Sequence, residues 1–233
     1  YSRELIRIPE LFEKKLKLAL FHVERLLDRL AESSGSQETA LRAHEAIVAG
    51  MRETSEKNPA SVEFLARSLF ALAARVERSG QPEQALETIQ EAVDLYRRLV
   101  SEESPSYRLP LAGSLNNLGQ QLRRRGRIEE ARDCFREGIA LYRALEHEEP
   151  HPIQPQIAAM LGNLSFTLRN LGQTEEALRV SEESLRRLAE LRDLTPSLFK
   201  GWVGPLAAEY RDAVAAAGSE ANPELLASIS PTG

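Results

Sequence analysis

The sequence predicts an all-α solenoid of helix-turn-helix repeats, because three of its patterns share one period. A set of four apolar residues, here called the ladder, returns every 46 residues as Leu65, Leu69, Leu72 and Val76, then Leu111, Leu115, Leu118 and Leu122, then Ile157, Leu161, Leu164 and Leu168. Glycines recur with the same spacing at Gly80, Gly126, Gly172 and Gly218, and proline or acidic residues follow the first three. This repetition is typical of an array of similar units.

The ladder predicts the first helix of each unit. Its members are separated by four, three and four residues, which places them on one face of an α-helix. The same register extends to residues near both ends of the chain, namely Ala19, Val23, Leu26 and Leu30, and Val203, Ala207, Tyr210 and Val214. We therefore expect five first helices with one apolar face each.

Each glycine predicts the end of a first helix, since a helix commonly terminates in a residue that tolerates positive φ. The prolines and acids after it favour the start of a second helix. The second helices have apolar faces of their own, at Ala85, Ile89, Tyr96 and Leu99, at Ala131, Phe135, Tyr142 and Leu145, and at Ala177, Ser181, Leu188 and Leu191.

The repeated unit resembles the tetratricopeptide repeat. Residues 115–119 read LNNLG and are followed by Gly126, Ala131 and Phe135, which is the skeleton of that repeat, and residues 69–85 and 161–177 carry it too. Units of 46 residues are longer than the usual ~34 and are similar to the long repeats of kinesin light chains. Gly138 and Ser184 occupy a position where alanine is expected. The resemblance implies a right-handed superhelical solenoid that binds proteins.

The register divides the chain into four parts. Residues 1–57 are predicted to form a degenerate N-terminal capping repeat, whose second helix places Ala40, His44 and Met51 on its apolar face. Residues 58–201 hold three repeats. Residues 202–218 form a C-terminal capping helix, and residues 219–233 form a tail. Proline-containing stretches at 101–110, 146–155 and 192–205 are predicted to connect successive units.

Composition narrows the class of protein. The net charge of −5 argues against general affinity for nucleic acids or anionic membranes, and no apolar run is long enough to span a bilayer. A single cysteine, Cys134, favours a reducing compartment, so a cytoplasmic location is expected. The chain begins at Tyr1 rather than methionine, which suggests a fragment of a larger protein.

The sequence offers weak candidates for catalysis. Residues 147–151 read HEEPH, a zinc-protease-like spacing, but Pro150 ends the helix that would bring both histidines to one face. Cys134 has no histidine tied to it by sequence and is interpreted as a small, half-buried residue, and His44 as a packed one. We expect no enzyme activity, no metal site and no cofactor.

The side of each first helix opposite the ladder is the predicted binding surface, since solenoids bind ligands on their concave face. Its residues give a polar, basic groove, flanked by the acidic Glu24, Asp28, Glu209 and Asp212, and consist of Arg67, Phe70, Arg78, Asn116, Asn117, Gln120, Arg123, Arg124, Asn163, Phe166, Arg169 and Asn170. The resemblance implies that Asn117 and Asn163 clamp a ligand backbone or terminal carboxylate. Two alternatives remain: the asparagines bridge neighbouring helices, and the arginines of 123–127 complement a helix dipole.

The sequence thus predicts a non-catalytic protein-interaction module that holds an acidic or C-terminal peptide, or a partner helix, in its groove. Two other functions stay open: a regulatory or sensing arm of a larger multidomain switch protein, and a scaffold that self-associates through acidic ends and a basic groove. Nucleic-acid binding through residues 123–127 ranks below these, and membrane binding is not expected.

Overall fold

A computed structural model describes residues 18–19, 22–23, 25–30, 36–57, 61–102, 105–148, 153–194 and 196–229. In these ranges all regular structure is helical, and the chain forms two compact units. Unit 1 ends at Leu99 and unit 2 begins at Val100.

The helices follow the 46-residue period. Each of the three helices with the ladder of a predicted repeat spans 17 residues, and the helix that follows it in the chain spans 21 residues. In chain order the helices are α1 Gln37–Lys57, α2 Val62–Arg78, α3 Pro82–Glu102, α4 Arg108–Arg124, α5 Ile128–Glu148, α6 Gln154–Asn170, α7 Thr174–Leu194, α8 Pro196–Ala216 and α9 Pro223–Ser228. The starts of α2, α4 and α6 are 46 residues apart, as are those of α3, α5 and α7. The predicted helix-turn-helix units are confirmed.

The four periodic glycines end their helices in the same way. Their φ angles are +78°, +75°, +72° and +62°, in the left-handed region that favours glycine. The amide that follows each one donates to a carbonyl five residues earlier, for example Arg127 to Leu122 at 3.0 Å and Gln173 to Leu168 at 2.9 Å. This is the Schellman arrangement, which satisfies carbonyls that the helix end would leave unpaired.

The ladders of the three repeats are buried, as the sequence predicts. In unit 2 small residues allow the helices to approach closely. A Cβ added at Gly119 would lie 2.7 Å from Phe135, and one at Gly138 would lie 2.7 Å from the sulfur of Met160. At position 184, where the repeat pattern also predicts alanine, the Ser184 hydroxyl donates to the carbonyl of Ala158 at 2.7 Å. Both departures therefore serve contacts between neighbouring helices.

The prediction for residues 192–205 is wrong. These residues are not a connector, because α8 begins at Pro196 and contains Pro205 in its interior, so the capping helix starts six residues before 202. Phe199 and Leu206, which lie before and after Pro205, are both buried. Their burial stabilises the helix despite the backbone hydrogen bond that Pro205 removes.

Much of the predicted tail is packed. Asn222 caps α9 by accepting hydrogen bonds from the amides of Glu224 and Leu225 at 3.0 and 3.1 Å, and its own amide donates to the Tyr210 hydroxyl at 2.7 Å. Leu225 and Ile229 are buried in the same apolar cluster as α8. Residues 230–233 lie outside the described part of the chain.

The register predicted for residues 19–30 is also wrong. Leu26 is 60% exposed and Leu30 is exposed as well, whereas Leu27 is buried. The buried face is thus rotated by one residue, and on the same segment Asp28 accepts a hydrogen bond from Arg75 of α2 at 2.8 Å. In contrast, Ala40 and His44 of α1 are buried as predicted. Gly35, which precedes α1, and Glu24 lie outside the described residues.

The buried His44 joins α1 to α2 through a polar chain. Its Nδ1 accepts a hydrogen bond from Nε of Arg75 at 3.1 Å, and its Nε2 lies 3.0 Å from Oγ of Ser68. Because arginine only donates, Nδ1 carries no proton and Nε2 of the neutral ring donates to Ser68. The ring therefore does not accept the serine proton, so this group is structural. Burial, followed by the charge of Arg75, lowers the pKa of His44 to about 4.

We expect Leu118→Ala, at a ladder position that is 2% exposed, to lower the free energy of unfolding by about 2–5 kcal/mol through a cavity between helices. Leu109→Ala, at an exposed site of the same helix, is the control and should cost less than about 0.5 kcal/mol. Urea denaturation followed by circular dichroism gives both values. Equal effects of the two substitutions would contradict the assignment of the ladder to the core.

We expect His44 to make stability fall in mild acid. Its pKa is lower in the folded state, so unfolding takes up a proton between pH 6.5 and about 4, and stability that is complete above pH 6.5 is lost as the pH falls. Between pH 7 and 5 the loss is about 2 kcal/mol. His44→Gln removes the titration, so unfolding experiments should give a flatter pH profile. If the free energy of unfolding falls equally with pH in wild type and variant, His44 is not the group responsible.

Candidate interaction groove

The first helices of unit 2 lie side by side. Asn163 of α6 donates from Nδ2 to Oδ1 of Asn116 of α4 at 3.1 Å, and Arg169 of α6 contacts Glu209 of α8. We call the side of α4, α6 and α8 that does not carry the buried ladders the open face. The predicted site residues of α4 and α6 lie on it, with Gln120 half-buried and Arg124 and Asn170 exposed.

The asparagines of the open face serve partly to join helices. For Asn163 the bond to Asn116 agrees with the alternative that the asparagines bridge neighbouring helices. Asn117, in the register of Asn163, is half-buried. The role of Asn117 and Asn163 as a ligand clamp stays a prediction, and Asn163 would bring its carbonyl oxygen to it, because one of its amide hydrogens is engaged.

Phe166 lies beneath two arginines. The guanidinium carbon of Arg123 is 4.6 Å from the centroid of its ring and that of Arg169 is 5.4 Å away, both within the range of cation-π attraction. The ring is 38% exposed although it is a large apolar group. Arg123, Arg169 and Phe166 therefore converge on one patch, as the equal registers of the two arginines predict.

Arg169 is neutralised by acidic residues of α8. Its Nε and a terminal nitrogen donate to the two carboxylate oxygens of Glu209 at 3.0 and 2.8 Å, and the terminal nitrogen also contacts Asp212 at 3.2 Å. The Ser165 hydroxyl donates to Glu209 at 2.7 Å as well. The side chains of Arg169 and Glu209 are only 19% and 11% exposed, and the pair raises the pKa of Arg169. At Arg169 the positive charge of the predicted groove is therefore neutralised by the acidic residues predicted to flank it, since bidentate ion pairing uses the donors of this arginine.

Arg123 differs from Arg169. It is half-buried, and it forms no salt bridge with any residue that the structure describes. Burial, and then the charge of Arg124, lowers the pKa of Arg123, while the charge of Glu209 opposes this shift. A partly desolvated cation without a carboxylate gains more from a bound anion than a solvated one does.

A pocket of about 370 Å³ lies beside Arg123. Its lining is mostly apolar, from Ala159 and Phe166 of α6 and Trp202, Pro205 and Leu206 of α8, and it includes Gly162 and Gly201. Arg123, Asn163 and Glu209 are its polar residues. The volume falls near the lower end of the range of ligand sites, about 300–1,000 Å³.

Sequence reasoning missed the half of this pocket that α8 supplies. The signal was present, because Pro205 and Glu209 stand 46 residues after Ala159 and Asn163 and share their register. The prediction that residues 192–205 connect two units, with a capping helix that starts only at residue 202, left out the first turns of α8 and with them Gly201. The prolines of this stretch favour a connector, whereas the 46-residue period continues through it.

The remaining predicted site residues, Arg67, Phe70 and Arg78, belong to unit 1. Arg67 and Phe70 are half-buried, and Arg78 is exposed, lies 4.0 Å from Asp28 and donates from Nε to the carbonyl of Ala74 at 3.2 Å. Their contribution to binding stays a prediction.

The weak catalytic candidates acquire no support. Cys134 is buried on α5, and residues 149–151 of the HEEPH segment lie outside the described part of the chain. Among the described residues no group of three or more histidine, cysteine or acidic side chains has a metal-binding arrangement. Likewise, no helix in those ranges has the length and apolar character needed to cross a membrane.

Comparisons with known proteins agree with this architecture. Residues 111–152 and 157–191 match the family model of the tetratricopeptide repeat, and each segment starts at the first ladder residue of its unit. Among solved structures, the chain is similar to a putative kinesin light chain from Podosopora anserina with nearly identical TPR-like repeats, at 23% identity over 91% of this chain and 93% of that one, with a TM-score of 0.65.

A second similar structure is BtubC (BKLC) from P. vanneervenii, at 17% identity over 85% of this chain and 81% of that one, with a TM-score of 0.50. At these identities the likeness concerns the fold. Curated protein sequences gave no significant match. The resemblance to long tetratricopeptide-type repeats is confirmed, as is the all-α solenoid class.

We expect Glu209→Ala to lower the free energy of unfolding by about 1–3 kcal/mol, because it removes the bidentate acceptor of the poorly exposed Arg169. Ser165 keeps the carbonyl of Ala177, 3.0 Å from its hydroxyl, as an acceptor. Asp212→Ala, which removes the more exposed carboxylate beside the same arginine, is the matched control and should cost less than about 1 kcal/mol. Thermal and urea unfolding measure both. A larger effect of the control would contradict the central role of Glu209.

Proposed function

We propose that the open face of unit 2 binds an acidic segment of a partner protein. Residues 111–152 and 157–191 match the tetratricopeptide repeat, a fold typical of protein-protein interaction modules. The observation that carries the proposal is Arg123: a half-buried cation beside a pocket, stacked on Phe166 and not paired with a carboxylate of the described chain. Such a group is suited to take its counter-ion from a ligand.

The chemistry favours a carboxylate as the group that Arg123 binds. A guanidinium donates two parallel hydrogen bonds to a carboxylate, and charge-assisted bonds of this kind contribute roughly 1.5–3 kcal/mol each. An aspartate, a glutamate or a C-terminal carboxylate of the bound segment satisfies this requirement equally. Because Glu209 and Asp212 neutralise Arg169, we propose one principal acidic contact rather than a row of them.

Amide groups on the same face suit the backbone of the segment. Asn117 and Asn163 are half-buried, and an asparagine side chain has both a donor group and an acceptor, so it can bond a peptide unit without requiring a particular side chain. The bond between Asn163 and Asn116 holds one of these amides in place before the ligand arrives. An ordered side chain loses less conformational freedom on binding.

The acidic residues at the starts of the second helices, Glu129, Glu130, Glu175 and Glu176, are the alternative surface. Two of them have internal partners, since Arg127 contacts Glu130 at 2.6 Å and Arg136 contacts Glu176 at 2.7 Å. These pairs reduce the charge that this surface offers to a partner, which favours the open face.

Selection from a display library of random peptides with free C-termini tests the proposal. We expect the chain to enrich peptides that contain a carboxylate at one fixed position, and Arg123→Glu to weaken their binding at least tenfold while thermal unfolding stays close to that of wild type. Increasing salt should weaken binding as well.

Arg136→Glu, on the second helix α5, is the matched control for charge, because it changes the net charge by the same amount. Its affinity for the enriched peptides should remain within about twofold of wild type. Enriched peptides that bind Arg123→Glu as tightly as wild type would refute the open face as the binding site.

A further inference from the structure

The pocket between α6 and α8 has a distinct chemical character. Its walls are the ring of Phe166, the indole of Trp202 and the side chain of Leu206, and a single cation, Arg123, stands among its lining residues. Its carboxylate, Glu209, accepts hydrogen bonds from Arg169 and Ser165, so its charge is already compensated. The pocket is thus an apolar space with one cation that forms no salt bridge with the described residues.

The sequence of α8 keeps this space open. Gly201 lines the pocket, and a Cβ placed on it would meet no atom within 4 Å. Pro205, one turn later, also lines it and has no N–H, so the carbonyl of Gly201 lacks the donor that an α-helix normally provides. Glycine and proline both disfavour a helix interior, yet here they occur where they leave room beside Trp202.

We propose that this pocket is a subsite for one aliphatic side chain of the bound segment, whose carboxylate, on the same or the adjacent residue, binds Arg123. This inference rests on the proposed function and adds to it, because binding of an acidic segment does not by itself require an apolar residue. Charge complementarity fixes the class of occupant: an apolar group fills the space, and an anion joins it at the side of Arg123.

Trp202 provides a direct measure of occupancy, since it is the chain's one tryptophan and its indole lines the pocket. The probes are N-acetyl-L-leucine and N-acetylglycine, which share a carboxylate and differ by the aliphatic side chain. We expect N-acetyl-L-leucine to change the fluorescence saturably and to bind at least about tenfold more tightly than N-acetylglycine. Equal affinities, or no saturable change, would overturn the subsite.

Two glycines of α8 give matched variants. Gly201→Leu places a side chain in the pocket, whereas Gly204→Leu places the same side chain on the same helix at an exposed glycine that does not line the pocket and has no atom within 4 Å of its Cβ position. Both replace a helical glycine and should fold at least as well as wild type. We expect Gly201→Leu to abolish binding of N-acetyl-L-leucine and Gly204→Leu to retain it; the same response from both would overturn the assignment.

Failure of the subsite and failure of the proposed function give different results. Acidic peptides that depend on Arg123 but bind Gly201→Leu normally would overturn the subsite and leave the function standing. If the chain binds N-acetyl-L-leucine but no selected peptide depends on Arg123 for binding, the proposed function is overturned. The pocket would then be a site for small molecules and not a subsite of a peptide groove.

Discussion

Burial of the ladder in each first helix is the constraint on which the remaining structure depends. A ladder residue such as Leu115 or Leu161 fixes the rotation of its helix, because only one face can enter the core. The left-handed glycine that follows then sets where the second helix starts. The helix rotation and the start of the second helix both repeat every 46 residues. The faces of α4 and α6 that lie opposite their ladders therefore place equivalent residues on the same surface.

The fold was largely predictable because its determinants are local and periodic. The bounds of α2 to α7 follow the repeated ladder and glycine, which report burial and backbone conformation directly. The errors concern two segments, residues 19–30 and residues 192–205. Residues 192–205 are predicted to connect two units because of their prolines, although Phe199 and Leu206 hold α8 on the core. The apolar face predicted for residues 19–30 is off by one position, where the repeat is degenerate.

The candidate site was predictable only in part. Register alone brought Arg123 and Arg169 to one surface, but it could not show that Glu209 and Asp212 neutralise Arg169 while Arg123 forms no salt bridge with the described residues. That distinction depends on contacts between helices that are 40 or more residues apart in sequence. The pocket depends on such contacts too, since α6 and α8 each supply part of its lining.

The most direct test of the account is an NMR titration of the chain with a selected acidic peptide that contains leucine. The account predicts that the largest shifts fall on the open face, at Arg123, Phe166 and the indole N–H of Trp202, while Glu129, Glu130, Glu175 and Glu176 stay unchanged. Shifts concentrated on those glutamates, with the Trp202 signal unmoved, would contradict it.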